Sequence, residues 1–359
     1  MGAKLKPIDM LRRILFRTHL VLGILLGLYV VVIGVTGSVL VYREELAAAV
    51  QPELFQPVAA VRITPDEALQ TVTAAYPQYT VLTLTAPDLE TGAWMAYLLG
   101  KGESKQVYVD AASGALRGEY LRKGGWLGFV EQLHFNLVSG RTGRLVNGYC
   151  ALATVGLAMT GALLWRPRLS KWKLDARSLH VSVGLVSIVF IAIMGFTGGY
   201  FTWFQIYVDG VRLFLPAQSR PALPEVKVSG ERKSLAELAA AAQRAVPEAK
   251  VYRIALRSGP AEAFRISMRH GSLNEFQLVS HVALHPYTLE VMRVEKLEER
   301  AAGDKLIGNF SAVHFGVWGG PAARVVWAVL GLSLPALFGT SFLLWWRRLR
   351  QRGLAGIWI

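Results

Sequence analysis

The sequence predicts a membrane α-helical protein: four transmembrane helices in two parallel repeats, with two α+β modules on one side of the membrane. Three observations lead there. The chain of 359 residues is 53% apolar yet still 18% charged, the mixture expected of membrane spans joined to water-facing parts. Four runs lack Asp, Glu, Lys and Arg over the about twenty residues a hydrocarbon core requires: Leu20 to Tyr42, Leu145 to Trp165, Val181 to Phe204 and Val325 to Trp346. The first half of the chain also recurs in the second. His19, Gly23, Gly34, Thr36 and Gly37 return at one constant spacing as His180, Gly184, Gly195, Thr197 and Gly198. Gly128, His134, Phe135, Gly140, Arg144, Leu163, Leu164 and Trp165 return at a second spacing as Gly308, His314, Phe315, Gly320, Arg324, Leu343, Leu344 and Trp345.

The first apolar run has a basic leading flank, but it is longer than a signal-peptide core and is followed by Tyr42-Arg43-Glu44-Glu45 rather than a small-residue cleavage site, so it reads as a span over 19–43. Basic residues set the orientation. Lys4, Lys6, Arg12, Arg13 and Arg17 lie in the segment 1–18, Arg166, Arg168, Lys171, Lys173 and Arg177 in 166–178, and Arg347, Arg348, Arg350 and Arg352 in 347–359. The positive-inside rule places all three in the cytoplasm. The net charge of +14 is then largely topology and needs no nucleic-acid partner. The third span falls in 179–208. The second and fourth share 123–165 and 304–346 with short histidine-bearing segments that precede them. Cys150, the single cysteine, leaves no disulfide, no thiolate metal site and no covalent haem attachment.

Two longer segments, 44–122 and 209–303, cross to the outer side and read as small α+β modules. In the first, Thr64-Pro65-Asp66-Glu67 is an N-cap, a proline at the first helical position and first-turn acids, opening a helix through Ala75. Strands follow at Tyr79 to Thr85, Ala93 to Leu99 and Gln106 to Val109, and Ser113-Gly114 turns the chain into Ala115 to Tyr120. In the second, a helix at Ser234 to Val246 precedes strands at Lys250 to Leu256, Ala263 to Met268, Glu275 to Leu284 and Leu289 to Val294.

The module order and the strand-turn-strand VYVDAASGALRG, Val107 to Gly118, resemble a PepSY domain. Two such domains alternating with four helices resemble the PepSY-associated transmembrane family over nearly the full length. That family includes bacterial iron-regulated membrane proteins and inner-membrane siderophore reductases. The resemblance implies a bacterial inner-membrane location, PepSY-like modules in the periplasm, both termini in the cytoplasm and b-type haems held by helix histidines. The second module departs from the pattern: His285 stands where the first has Asp110, and Pro286 follows, so its hairpin is expected to be distorted.

His19 and His180 open helices that start in the cytoplasm, and Gly23 and Gly184, one turn on, clear the same helical face. That suits a flat macrocycle against bare backbone. The competing reading is a solvated interfacial histidine beside ordinary small-residue helix packing. His134 and His314 lie at the outer end, in apolar segments Trp126 to Val138 and Leu306 to Val317 that end in glycine-bearing breaks. The competing reading there is an amphipathic helix on the leaflet. A parallel duplication carries a pseudo-twofold along the membrane normal, which pairs His19 with His180 and His134 with His314. Two opposed imidazoles fit a six-coordinate b haem between facing helices, whereas zinc needs three or four converging ligands. Arg144 and Arg324 recur on the outer side, where a guanidinium suits a haem propionate; snorkelling to lipid headgroups is the alternative. His270, His281 and His285 have no partners in the first module. They read as surface, with His281 and His285 on one strand face as a weak contact for an iron chelate.

Two bis-histidine b haems, one per face, describe a wire from the cytoplasmic-side haem to the periplasmic-side haem. The resemblance adds the acceptor, a ferric siderophore or other periplasmic iron chelate, and so an oxidoreductase. No Gly-x-Gly-x-x-Gly follows a strand, so flavin and nicotinamide sites are not expected and the donor is a separate reductase or quinol. A rival reading is a non-enzymatic membrane regulator whose modules bind peptides or a protease. A transporter is a third, although the spans hold no carboxylate or lysine to couple an ion.

Overall fold

The computed structural model describes residues 7–88, 91–100, 102–120, 125–165, 175–217, 222–256, 259–271 and 279–352. Lys4, Lys6, Arg166, Arg168, Lys171, Lys173 and the expected strand residues Glu275 to Leu278 lie outside the described residues. In chain order the elements begin with α1 (Pro7–Leu25), α2 (Gly27–Leu40), α3 (Arg43–Val50) and α4 (Pro65–Ala75). Strands β1 (Thr80–Thr85), β2 (Ala93–Gly100), β3 (Glu103–Asp110) and β4 (Leu116–Glu119) follow. Then come α5 (Gly125–Asn136), α6 (Gly140–Leu164), α7 (Ala176–Thr202), α8 (Phe204–Arg212) and α9 (Leu235–Ala245). The chain continues through β5 (Lys250–Ala255), β6 (Phe264–Arg269), β7 (Val279–Leu284) and β8 (Val291–Glu295) to α10 (Ala302–His314), α11 (Gly320–Gly331) and α12 (Ser333–Arg352). They form two compact units, one of Met1–Tyr42, Gly128–Gly210 and Phe310–Ile359, the other of Arg43–Leu127 and Val211–Asn309.

The first unit is the membrane part. Gly140–Leu164, Ala176–Thr202 and Gly320–Gln351 are each long and apolar enough to span a bilayer. The fourth candidate corrects the expectation of one unbroken helix over 19–43: α1 and α2 meet at 62°. The bend falls at Leu26-Gly27, where the Phe338 ring packs over the bare Gly27 backbone, a side chain pressed against the helix where no Cβ keeps it away. Small residues bring the helices together, as membrane packing requires. A Cβ on Gly34 would lie 2.7 Å from the Gly331 carbonyl oxygen, and one on Gly195 would lie 2.7 Å from that of Ala151. Gly34 and Gly195 therefore recur for close helix crossing. Gly140 and Gly320 recur for another reason: with φ of 56° and 66° they make the left-handed turn into α6 and α11 that other residues resist.

The second unit is a single eight-stranded sheet in the order β4-β3-β2-β1-β5-β6-β7-β8, antiparallel throughout. The two sequence modules are joined edge to edge by β1 and β5, with Leu84 opposite Ile254. Each of those strands carries a bulge, at Leu82 and Tyr252. α4 and α9 each open on a capping box, Thr64 with Glu67 and Ser234 with Glu237, each cap contributing about 1 kcal/mol. Asp66 also accepts from the Leu235 and Ala236 N–H groups at 2.8 and 2.9 Å, so an acid of α4 closes the amino end of α9. Val72, Leu84, Leu98, Val107, Leu238, Ile254, Ile266 and Met268 are wholly buried in one shared core, each worth about 2 kcal/mol of burial. Joining the modules seals that core and pairs both central strand edges, which would otherwise stay open.

The second hairpin is not distorted. In the first, the Asp110 carboxylate accepts from the N–H groups of Ala112 and Ser113, and Gly114 donates to the Asp110 carbonyl. In the second, His285 Nδ1 takes the same place, accepting from Tyr287 and Thr288 at 3.3 Å, and Leu289 donates to the His285 carbonyl. Leu289 adopts φ of 68°, as Gly114 adopts 77°. An imidazole nitrogen replaces a carboxylate oxygen, and the turn survives.

Candidate functional site

The membrane unit brings its four histidines together as two pairs. His19 of α1 and His180 of α7 have ring centroids 6.3 Å apart, and His134 of α5 and His314 of α10 are 6.4 Å apart. The stretch of α7 from His180 to Thr197, which touches His314, rises about 25 Å at the usual helical pitch. The pairs thus sit near opposite ends of a bundle about as long as a hydrocarbon core is thick.

Every one of the four rings is held the same way. His19 Nδ1 is 3.0 Å from Thr160 Oγ1, His180 Nδ1 is 3.1 Å from Thr340 Oγ1, His134 Nδ1 is 2.9 Å from Thr36 Oγ1, and His314 Nδ1 is 2.8 Å from Thr197 Oγ1. His180 Nδ1 also lies 3.2 Å from the Leu337 carbonyl. Backbone bonds fix the second pair further. Asn147 Nδ2 donates to the His134 carbonyl at 2.7 Å, with Tyr29 donating to Asn147 Oδ1 at 2.8 Å. Trp327 Nε1 donates to the Val313 carbonyl at 2.7 Å. Asn147 and Trp327 occupy matching places in the two halves, and each donates to a helix carbonyl at or beside the histidine, that of His134 in one half and of Val313 in the other.

Glycine clears the rings in places. A Cβ on Gly37 would stand 3.1 Å from His134 Cε1, one on Gly198 3.8 Å from His314 Cε1, and one on Gly161 3.2 Å from His19 Cε1. Among the described residues, Gly23, expected to clear space beside His19, has nothing within 4 Å of where a Cβ would be, and Gly184 has only Leu337, at 3.7 Å.

This donor set fits a porphyrin better than a bare ion. A metal–imidazole bond is about 2 Å, so two imidazoles on opposite sides of one metal have ring centres about 6 Å apart. Both observed separations agree. Among the described residues no third His, Cys, Asp or Glu completes either pair, and a haem brings its own four equatorial nitrogens. The ring planes are turned by 84° and 53°, a rotation that coordination along a shared axis tolerates.

A family model described as the PepSY-associated TM region matches residues 16–348. The chain belongs to the PepSY-associated transmembrane family. It is a multi-pass membrane member of that family with an antiparallel sheet unit. No curated protein matches it.

The remaining expected residues in this PepSY-associated chain fall elsewhere. Arg324 donates from Nε and Nη2 to the Val41 carbonyl, at 3.1 and 2.7 Å, and stacks over Tyr42 at 4.9 Å, closing the carboxyl end of α2. Arg144 is exposed. His281 is buried in β7 with Nδ1 3.0 Å from Ser267 Oγ, and His270 Nε2 is 2.8 Å from Ser280 Oγ. His285 sits in the turn beyond β7 rather than on its face. The three do not form a shared site.

Proposed function

We propose that this chain is a di-haem b electron-transfer protein of the ferric-siderophore-reductase type. His19 with His180 holds one haem and His134 with His314 the other, in two facing repeats of a bacterial inner-membrane protein. Both termini lie in the cytoplasm and the sheet unit in the periplasm. The observation that carries the reading is the double occurrence of one geometry: two histidine pairs at 6.3 and 6.4 Å, near opposite ends of the bundle.

When bound, a b-type haem supplies reversible one-electron exchange. The chain supplies everything else. The four histidines would hold the two groups through imidazole nitrogens, and the paired helices set their spacing. Gly37 and Gly198 leave room at the His134 and His314 rings. Apolar helix faces keep water from the path, and Arg144, exposed on the periplasmic side, offers a guanidinium to a propionate. A separate donor, a reductase or quinol, supplies each electron, and one electron converts a bound Fe(III) chelate to Fe(II), which hard oxygen ligands hold less firmly.

Purified protein from haem-replete cells should be red, with a b-type α band on dithionite reduction. A ferric chelate added under anaerobic conditions should reoxidise it and yield Fe(II). Reduced protein that ferric chelates leave reduced would contradict the reductase reading. Colourless protein would favour the peptide- or protease-binding regulator.

A further inference from the structure

Each of the four threonines beside a histidine has its one hydroxyl proton already placed. Thr36 donates to the Val32 carbonyl at 2.6 Å, Thr160 to that of Gly156 at 3.0 Å, Thr197 to that of Ile193 at 2.7 Å and Thr340 to that of Ala336 at 2.9 Å. This is the ordinary back-bond of a helical threonine. A hydroxyl has one proton to give and lone pairs to receive, so toward the imidazole each threonine acts as acceptor. The proton in each histidine–threonine bond is therefore on Nδ1. For His180 the Leu337 carbonyl, which can only accept, demands the same tautomer. A neutral imidazole protonated on Nδ1 carries its lone pair on Nε2.

The connectivity adds a second point. Thr160 of α6 holds His19 of α1, and Thr36 of α2 holds His134 of α5, all within the first half of the chain. Thr340 of α12 holds His180 of α7, and Thr197 of α7 holds His314 of α10, all within the second. Each clamp lies inside one half, whereas each histidine pair bridges the two halves.

We propose that Thr36, Thr160, Thr197 and Thr340 are positioning residues that lock all four histidines as Nδ1–H tautomers, presenting Nε2 to the iron. This rests on the bis-histidine haem reading. Each half then sets its own two ligands before any porphyrin arrives, and the porphyrin joins the halves. A fixed Nδ1–H bond also makes the imidazole a stronger donor to iron, which favours the ferric state.

The test compares Thr36→Val, which keeps the shape and removes the acceptor, with Thr36→Ser, which keeps the acceptor, and repeats both at Thr160. The readouts are haem per chain and the midpoint potential of each haem, in full-length protein in detergent. The valine variants should bind the haem of the touched pair about 10- to 100-fold more weakly and raise the potential of what remains. The serine variants should behave as wild type. Where a valine variant fails to accumulate, histidine ¹⁵N shifts of haem-free wild-type protein report the tautomer directly: Nδ1–H supports the proposal and Nε2–H overturns it. Valine variants with unchanged haem affinity and potential also overturn it, while wild-type protein that keeps two haems leaves the bis-histidine reading standing. Wild-type protein that binds no haem would sink that reading instead.

Discussion

His134→Ala and His314→Ala should each strip the same haem, and His19→Ala and His180→Ala should each strip the other. The expectation follows from geometry. The rings of each pair lie within 6.4 Å, while the pairs are separated by about 25 Å of helix. On the bis-histidine haem reading proposed above, losing one imidazole would release only the haem that its own pair holds. Each single variant should therefore fall from two haems to one, with the surviving spectrum the same for both members of a pair. A double variant within a pair should resemble the singles, and one across pairs should lose both haems. The measurement is haem content and low-temperature α-band shape of each variant. If His134→Ala and His19→Ala deplete the same haem, the pairing is wrong.

The second large effect lies in the sheet unit. Asp110→Ala should destabilise it by about 3 to 5 kcal/mol, the usual consequence of stranding a buried charge. Arg117 is the charge in question. Its side chain is 6% exposed, and it donates to Asp110 Oδ2 at 2.7 Å, to the Thr91 carbonyl at 3.0 Å and to the Gln56 carbonyl at 2.9 Å. Without Asp110 the guanidinium keeps only neutral acceptors, and the hairpin loses its side-chain cap. Burial alone would raise the Asp110 carboxyl, but Arg117 and the donors from Ser113 and Ala112 outweigh it and hold the group below the ordinary carboxylate range. A depressed carboxyl stabilises fully above its unfolded value of about 4, and that contribution is lost as acid drives the pH down toward the folded value. Thermal unfolding of the full chain should show a wild-type protein that weakens below about pH 4 and a variant that is weaker at neutral pH and flatter in acid. Equal neutral-pH stability would mean that Arg117 finds another partner.

The part of this arrangement legible in the sequence is the part that repeats. His19 with His180 and His134 with His314 could be paired because identical residues recur at constant spacing. Thr36 and Thr197 recur in the same set, but threonine is common in helices and its hydroxyl acquires a role only once two helices are docked. Thr160 and Thr340 also fall at a repeat spacing, so all four threonines beside the histidines recur in the sequence. Asn147 and Trp327 were beyond reach by that route, because the two halves place different side chains there and bond different carbonyls, those of His134 and Val313. The bend at Leu26 is silent in an apolar run that already holds several glycines. His285 looked like a break in the hairpin pattern because residue type was compared where hydrogen-bonding capacity decides. The union of two modules into one sheet depends on β1 meeting β5, a contact between strands far apart in the chain that no local pattern encodes.

The most direct measurement is haem and iron per polypeptide in purified protein from haem-replete cells, by pyridine haemochrome and metal analysis against protein mass. Two haems and two irons per chain are expected, with ligand-field signatures of bis-histidine coordination. A chain that carries no haem, or a single one lost equally with all four His→Ala changes, would contradict the account.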